Sequence, residues 1–83
     1  MYRIENVTDY EGNVRPYRIG RIVDDIEELQ GSAFCIYTNR PQNKDVIGKA
    51  LWTSRIVSRE ENDNEVIIKT DNSIYHFRRI YDY

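Results

Sequence analysis

The segment EVIIKTDNSIYHFRR, residues 65–79, constrains the fold more than any other part of the chain. Both of its apolar runs are too short for a helix and rich in β-branched and aromatic residues, and TDNS at 70–73 lies between them. That is the vocabulary of two strands reversed by a tight turn. Asp71 and Asn72 suit the positive φ of turn centres, and their side chains can bond the local backbone. A second polar cluster, ENDN at 61–64, precedes the first run. The extended stretch VIGKALWTSRIVSRE before it then makes the last third of the chain a β-meander. If the strand at 52–59 pairs with the strand at 66–70 about ENDN, WTSR lies at the same end as TDNS.

The earlier segments extend the pattern. SAFCIYT at 32–38 reads as a strand with Phe34, Ile36 and Thr38 on one side and Ala33, Cys35 and Tyr37 on the other. YRIENVT matches period two only in part, with Tyr2, Ile4 and Asn6 on one face and Arg3, Glu5 and Val7 on the other. In VRPYRIGRIV, Pro16 holds Arg15 extended and cannot donate to a ladder, so this piece starts a strand or lies on an edge. Gly20 marks a bulge or a close backbone approach. IVDDIEELQG reads in two ways. Ile22, Ile26 and Leu29 form one stripe of a short helix ended by Gly31, or Asp24–Asp25 turns the chain between two short strands; the second is preferred. NRPQNKD is a loop. The expected fold is mainly β: a single domain over 1–83, a small twisted sheet or partly closed barrel of five to six strands with at most one short helix.

Composition narrows the function classes. Eighty-three residues with one cysteine make a small core without an internal disulfide, and such a domain often gains stability by assembling with copies of itself. Seven tyrosines, with Trp52, Phe34 and Phe77, exceed what that core must hide, and tyrosine is favoured where one ring face is dry and the hydroxyl wet. A homo-oligomer is therefore expected. The net charge of −2 lacks the basic footprint of nucleic-acid binding, so nucleic acid is not an expected partner. No apolar run is long enough to span a membrane, and the acidic N-terminal residues do not read as a secretion signal, so Asn6-Val7-Thr8 carries no weight as a glycosylation site and a reducing cytoplasm is the expected location.

Catalytic constellations are sparse. His76 sits mid-strand, and Cys35, inside an apolar run, is expected to have a raised pKa and to be inert. Two such residues do not make a zinc site, and Asp24, Asp25, Glu27 and Glu28 read as a solvated turn. Gly48–Lys49 is no phosphate loop, because Asn43 stands where its first glycine belongs and Ala50 where its Ser/Thr belongs. No enzymatic activity, metal or cofactor is expected.

Two binding constellations remain, each with a plain structural alternative. RPYRIGR gathers Arg15, Arg18 and Arg21 about Tyr17. In an extended chain Arg15, Tyr17 and Arg21 share a face, which suits gripping a phosphate and stacking a base; alternatively the charges guard an edge strand against aggregation. At the other site Thr53, Ser54, Asn72 and Ser73 gather near Trp52 and Tyr75, suitable lining for a planar polar ligand; alternatively TDNS is only a corner.

The pattern TSRIVS…IIKTDNSIYHF, within residues 52–77, resembles the C-terminal part of small uncharacterised β-proteins of bacteriophages. Some small phage β-proteins are oligomeric sponges that capture nucleotide signals of bacterial immunity, such as cyclic dinucleotides and ADP-ribose derivatives. The resemblance implies a small anionic ligand at Thr53, Ser54, Asn72, Ser73 and Tyr75, and a counter-defence role in the host cytosol. The competing expectation is an inhibitor that blocks a host protein complex through a Tyr/Arg-rich surface.

Overall fold

In the computed structural model, residues 1–81 are described. Seven strands form one antiparallel sheet: β1 Tyr2–Thr8, β2 Ile22–Val23, β3 Glu27–Leu29, β4 Ser32–Ile36, β5 Ala50–Glu61, β6 Glu65–Thr70 and β7 Ile74–Arg79. Their spatial order is β2-β1-β7-β6-β5-β4-β3. The only helical pieces among the described residues are two single 3-10 turns, Pro16–Arg18 and Pro41–Asn43.

The meander from β5 to β7 follows the expected order. Ile56 pairs with Thr70 and Glu61 with Val66, and β6 and β7 then pair from Glu65–Arg78 to Lys69–Ile74. The Asn62 side chain accepts from the backbone N–H of Asn64 and Glu65 and closes the first corner. The count is seven strands, not five to six; IVDDIEELQG divides at Asp24–Asp25 into two short strands, β2 and β3, as preferred from the sequence, but they do not form a hairpin. These two strands do not pair with each other. They lie at opposite edges of the sheet, three residues apart in sequence, so the sheet must curl into a half-barrel. Val23 bridges Tyr37, while the Asp24 and Thr38 N–H groups donate to Ile36 and Ile22 at 3.0 Å each. At the other edge Gln30 and Gly31 both take positive φ, 54° and 80°, in the two-residue turn from β3 to β4, the geometry that a tight hairpin of right-handed twist requires.

Three bulges explain where period two fails. In β1 the register slips between Ile4 and Asn6, so Glu5 is an extra residue. Val7 therefore follows Tyr2 and Ile4 into the core, and Asn6, expected on their face, does not. In β5 one slip leaves Val57 extra against β6, and another sets one extra β5 residue against Ser32–Phe34. At the latter, the Ala33 N–H donates to the Thr53 hydroxyl at 2.9 Å. Val57 is consequently turned to solvent although it is apolar.

The core fills the concave side: Ile4, Val7, Val23, Ile26, Ala33, Cys35, Leu51, Val66, Ile68 and Phe77, ringed by Tyr2, Tyr37 and Tyr75. The long link from β4 to β5 is pinned by Asn43, which has no exposed surface. Its amide nitrogen donates to the Ile22 and Thr38 carbonyls at 2.6 Å each, and its oxygen accepts from the Ile22 N–H at 3.1 Å. Asn43→Ala is expected to cost about 2–4 kcal/mol, because it leaves the Ile22 N–H and the Thr38 carbonyl without this partner, while the Ile22 carbonyl keeps only the Thr38 N–H. Urea unfolding of the variant checks this; a cost below about 1 kcal/mol would show that the link does not need the pin.

Candidate functional site

RPYRIGR is not extended. Pro16, at the first position of the 3-10 turn, brings its fixed φ and lacks an N–H that the turn could not use. The Ile19 N–H closes the turn onto Pro16, and Gly20, at φ 91°, donates to the Ile4 carbonyl at 2.8 Å. That is the close approach its position implied. Arg15, Tyr17 and Arg21 consequently do not share a strand face. Instead Arg18 folds back, with its guanidinium 5.1 Å from the Tyr17 ring centroid and 6.0 Å from that of Tyr75. It donates to the Tyr75 hydroxyl. Arg21 lies 5.7 Å from the Tyr37 ring and holds Asp45 bidentately at 2.9 and 3.0 Å.

The result is a lip of arginines and tyrosines over one mouth of the half-barrel. Tyr17 is 59% exposed, while Tyr75 is buried. Burial raises the Tyr75 pKa, and the Arg18 charge opposes that rise; Tyr37 behaves likewise with Arg18 and Arg21 beside it. The Asp45 carboxyl is held below its ordinary value by its bonds to Arg21, so this pair spends a positive charge on structure. Arg15 makes no ion pair or side-chain hydrogen bond among the described residues, and its charge is felt at both Asp9 and Tyr75. Of the three arginines read from the sequence, Arg15 is the one, half-buried, whose guanidinium makes no hydrogen bond or ion pair among the described residues.

The TDNS corner is built by a hydroxyl. Neither Asp71 nor Asn72 takes positive φ, contrary to the sequence expectation. The Thr70 hydroxyl accepts from the Asn72 and Ser73 N–H groups at 3.3 and 3.1 Å and donates to the Ser73 carbonyl at 3.2 Å. That local network fixes the turn without left-handed residues. The Tyr10 hydroxyl covers it from outside by donating to the Thr70 carbonyl. WTSR does meet this end. The Asn72 amide donates to the Ser54 hydroxyl at 2.6 Å, Asp71 donates its N–H to the Arg55 carbonyl at 3.0 Å, and their side chains pair at 3.5 Å. Thr53 and Ser73, however, are buried. The Thr53 hydroxyl donates to the Ser54 carbonyl at 2.8 Å as well as capping Ala33. Trp52 points outward, 51% exposed, with its ring 4.8 Å from that of Phe34.

The ten sequence-derived residues thus separate into four places. Arg15, Tyr17, Arg18 and Tyr75 form the lip, with Arg21 bracing it. Ser54 and Asn72 meet at the solvated corner. Thr53 and Ser73 serve the backbone, and Trp52 belongs to the sheet's outer face. Tyr37 and Asp45 were missed as lip residues. Tyr37 carried a signal, its place on the Ala33–Cys35 side of a strand; Asp45, in a loop, carried none. A cavity of about 220 Å³ also lies along Glu60, Glu61, Asn62, Glu65 and Ile67, but its carboxylates repel an anionic ligand.

Cys35 and His76 occupy different environments. Burial is the main cause that pushes the Cys35 thiol up to about 12, and His76 pairs with Asn6 and Ile67 on the outer face. Among the described residues no helix is long and apolar enough to cross a membrane. No family model, curated protein or solved structure matches the chain.

Two outcomes are expected. Thr70→Val removes three hydrogen bonds of the corner and is expected to cost about 1–3 kcal/mol, whereas Asn72→Ala, at an exposed position, stays within about 0.5 kcal/mol. Denaturant titration of both variants compares them; equal costs would show that the hydroxyl does not hold the turn. The second outcome concerns alkaline pH. Cys35, Tyr37 and Tyr75 all have folded-state pKa values raised above their ordinary 9.0, 10.0 and 10.0. The unfolded chain therefore releases these protons first. Their contribution is fully present below about pH 9; the Cys35 part is lost as pH rises from there through about 12, and the tyrosine parts as pH rises above 10 through their raised folded values. Unfolding free energy measured at pH 7, 9 and 10.5 is expected to fall between the last two, with a later onset in Cys35→Ala. A flat profile to pH 10.5 would contradict the buried placement of these groups.

Proposed function

We propose that this chain is a binding module without a catalytic step. It sequesters a small anionic, nucleotide-derived signal as a homo-oligomer in a bacterial cytosol, in the phage counter-defence setting that the resemblance of residues 52–77 implies. The observation that supports this reading is the lip. Arg18 is held between two tyrosine rings with Arg15 open beside it, and Tyr17 offers an exposed ring. Guanidiniums suit phosphate oxygens bidentately, and a ring suits a base. In this reading Arg15 and Arg18 meet phosphate and Tyr17 stacks the base. Ser54 and Asn72 at the corner would add polar contacts if the ligand extends that far. No metal or cofactor takes part.

A second reading has its own observation. The link between β1 and β2 exposes Tyr10, Val14, Tyr17 and Ile19, with Arg15 and Arg18 among them. Such a surface suits a protein partner, which would be anchored by exposed aromatics and arginine rather than by a concave site. The chain would then inhibit a host complex.

Thermal unfolding in the presence of cyclic dinucleotides and ADP-ribose derivatives separates the two. A ligand at 100 times its dissociation constant stabilises by about 2.7 kcal/mol, a Tm rise of roughly 10–20 °C for a domain this size. Arg15→Ala and Tyr17→Ala, both outside the core, are expected to keep the fold and weaken binding by about 1–3 kcal/mol each. A panel with no shift would leave the protein-partner reading.

A further inference from the structure

We propose that the lip is a receptor for a phosphomonoester, a terminal phosphate with two negative charges and three free oxygens, held by Arg15, Arg18 and the Tyr75 hydroxyl. This deepens the proposed reading and rests on it, because it names the end of a nucleotide that the lip takes.

The three groups meet at one point of the mouth. The Arg15 N–H donates to the Val7 carbonyl, next to the bridge between Thr8 and Val14, so Arg15 stands opposite Val7. Val7 in turn stands opposite Tyr75. Residues opposite one another in antiparallel strands point to the same side, and Val7 and Tyr75 both belong to the core. Half-buried Arg15 is therefore directed inward along one row with Tyr75. Arg18 reaches the same place from the 3-10 turn and donates to the Tyr75 hydroxyl. Burial raises the pKa of that hydroxyl, and the charges of Arg18 and Arg15 both oppose the rise.

The hydroxyl has a proton to give. Tyr75 is 3% exposed and accepts from Arg18, while its own O–H donates to nothing among the described residues. A buried O–H beside two cations, without an acceptor, is a donor left for an anion.

The count of oxygens then selects the phosphate. One guanidinium fork takes two oxygens. A phosphodiester has two free oxygens, enough for one fork. A phosphomonoester has three, so two forks can share it, and the Tyr75 O–H adds a further bond. The second negative charge of the monoester answers the second guanidinium. Another phosphate elsewhere on the ligand would find Arg21 committed to Asp45, and the Asp9 carboxylate, which is bonded by Asn13, within reach of the Arg15 charge.

The protonation of such a phosphate is readable. The groups about it are Arg15, Arg18 and Tyr17 on the link, Tyr75 on β7, Tyr37 after β4, the Arg21–Asp45 pair, and Asp9 after β1. Hydrogen bonds hold Asp9 and Asp45 low, burial holds Tyr37 and Tyr75 high, and arginine stays charged throughout. His76 lies on the outer face. Between about pH 5 and pH 7.5 the titrating group is thus the monoester itself, whose second pKa is about 6.

Isothermal titration of the full chain with adenosine 5′-monophosphate, adenosine 3′,5′-cyclic monophosphate and a cyclic dinucleotide tests this. The monoester is expected to bind about ten-fold tighter than the cyclic diester of the same base, the effect of one charge-assisted bond. Its affinity is expected to fall about ten-fold from pH 7.5 to pH 5 as the dianion is protonated, while that of the cyclic diester stays flat. Tyr75→Phe keeps the ring against which Arg18 and Phe77 pack and is expected to weaken the monoester about five- to ten-fold. Circular dichroism checks its fold, and if it does not fold, the pH profile of the parent chain decides. Equal affinities for the two adenosine phosphates, a monoester affinity that is flat with pH, a folded Tyr75→Phe that binds the monoester unchanged, or a cyclic dinucleotide bound more tightly than the monoester would each overturn the proposal. Where that binding is still lost in Arg15→Ala, the lip reading stands without it. Binding of none of the three would overturn both, so the two proposals fail separately.

Discussion

Strands β2 and β3 are three residues apart in sequence and one whole sheet apart in hydrogen bonding. Residues 24–26 cannot span a flat seven-stranded sheet, whose strands lie about 4.8 Å apart, so the edges must come together. The other features of the fold accommodate that closure. Bulges in β1 and β5 sharpen the bend, and β5, twelve residues long, serves β4 with its first half and β6 with its second. Asn43 and Tyr37 tie the β2 edge to the end of β4, and Arg59 of β5 reaches Glu28 of β3 at 3.9 Å. Within the space so enclosed, Phe77, Ile68 and Ile4 meet although they are far apart in sequence.

The parts of the fold legible in the sequence are those governed by local pattern. β4, β6 and β7 are short apolar or alternating runs bounded by polar turns, and each lies where its pattern placed it. Face assignment was right for β4, where no bulge falls between Ala33 and Tyr37 on the buried side, and wrong for the end of β1. A bulge is a tertiary solution to curvature, and nothing in YRIENVT marks Glu5 as the residue to be set aside. Pro16 carried a true signal that was read in the wrong direction. A proline opens a 3-10 turn as readily as it starts an edge strand, and the choice depends on whether Gly20 can reach the Ile4 carbonyl. The corner was legible as a corner, and its mechanism was not: Thr70 supplies through its hydroxyl what positive φ at Asn72 would have supplied.

The candidate site divides along the same line. That Arg15, Tyr17 and Arg18 lie together follows from their proximity in sequence. That Tyr75 joins them depends on β7 lying beside β1, which brings Tyr75 opposite Val7 while the Arg15 N–H donates to the Val7 carbonyl. Thr53 and Ser73 drew attention as small hydroxyls at a strand end. Hydroxyls at bulges and corners are often absorbed by the backbone they repair, and only the register reveals it.

The division of labour among the arginines bears on what the lip can bind. An arginine side chain carries roughly 2 kcal/mol of rotamer entropy that a ligand must otherwise freeze. Arg18 has given up much of that freedom already, between the Tyr17 and Tyr75 rings. Arg21 has surrendered its charge to Asp45 and in return ties the lip to the link between β4 and β5, while the Gly20–Ile4 bond ties it to β1. A ligand arriving here meets one fixed guanidinium, one open one and an exposed ring, on a surface that the sheet beneath keeps in place. Such an arrangement suits a compact anion with a planar part. It suits an extended polyanion poorly, because Asp9 and Asp45 flank the lip and the chain as a whole is negatively charged. In the proposed reading, this charge pattern fits a short ligand whose negative charge is concentrated at Arg15 and Arg18 better than it fits a nucleic acid.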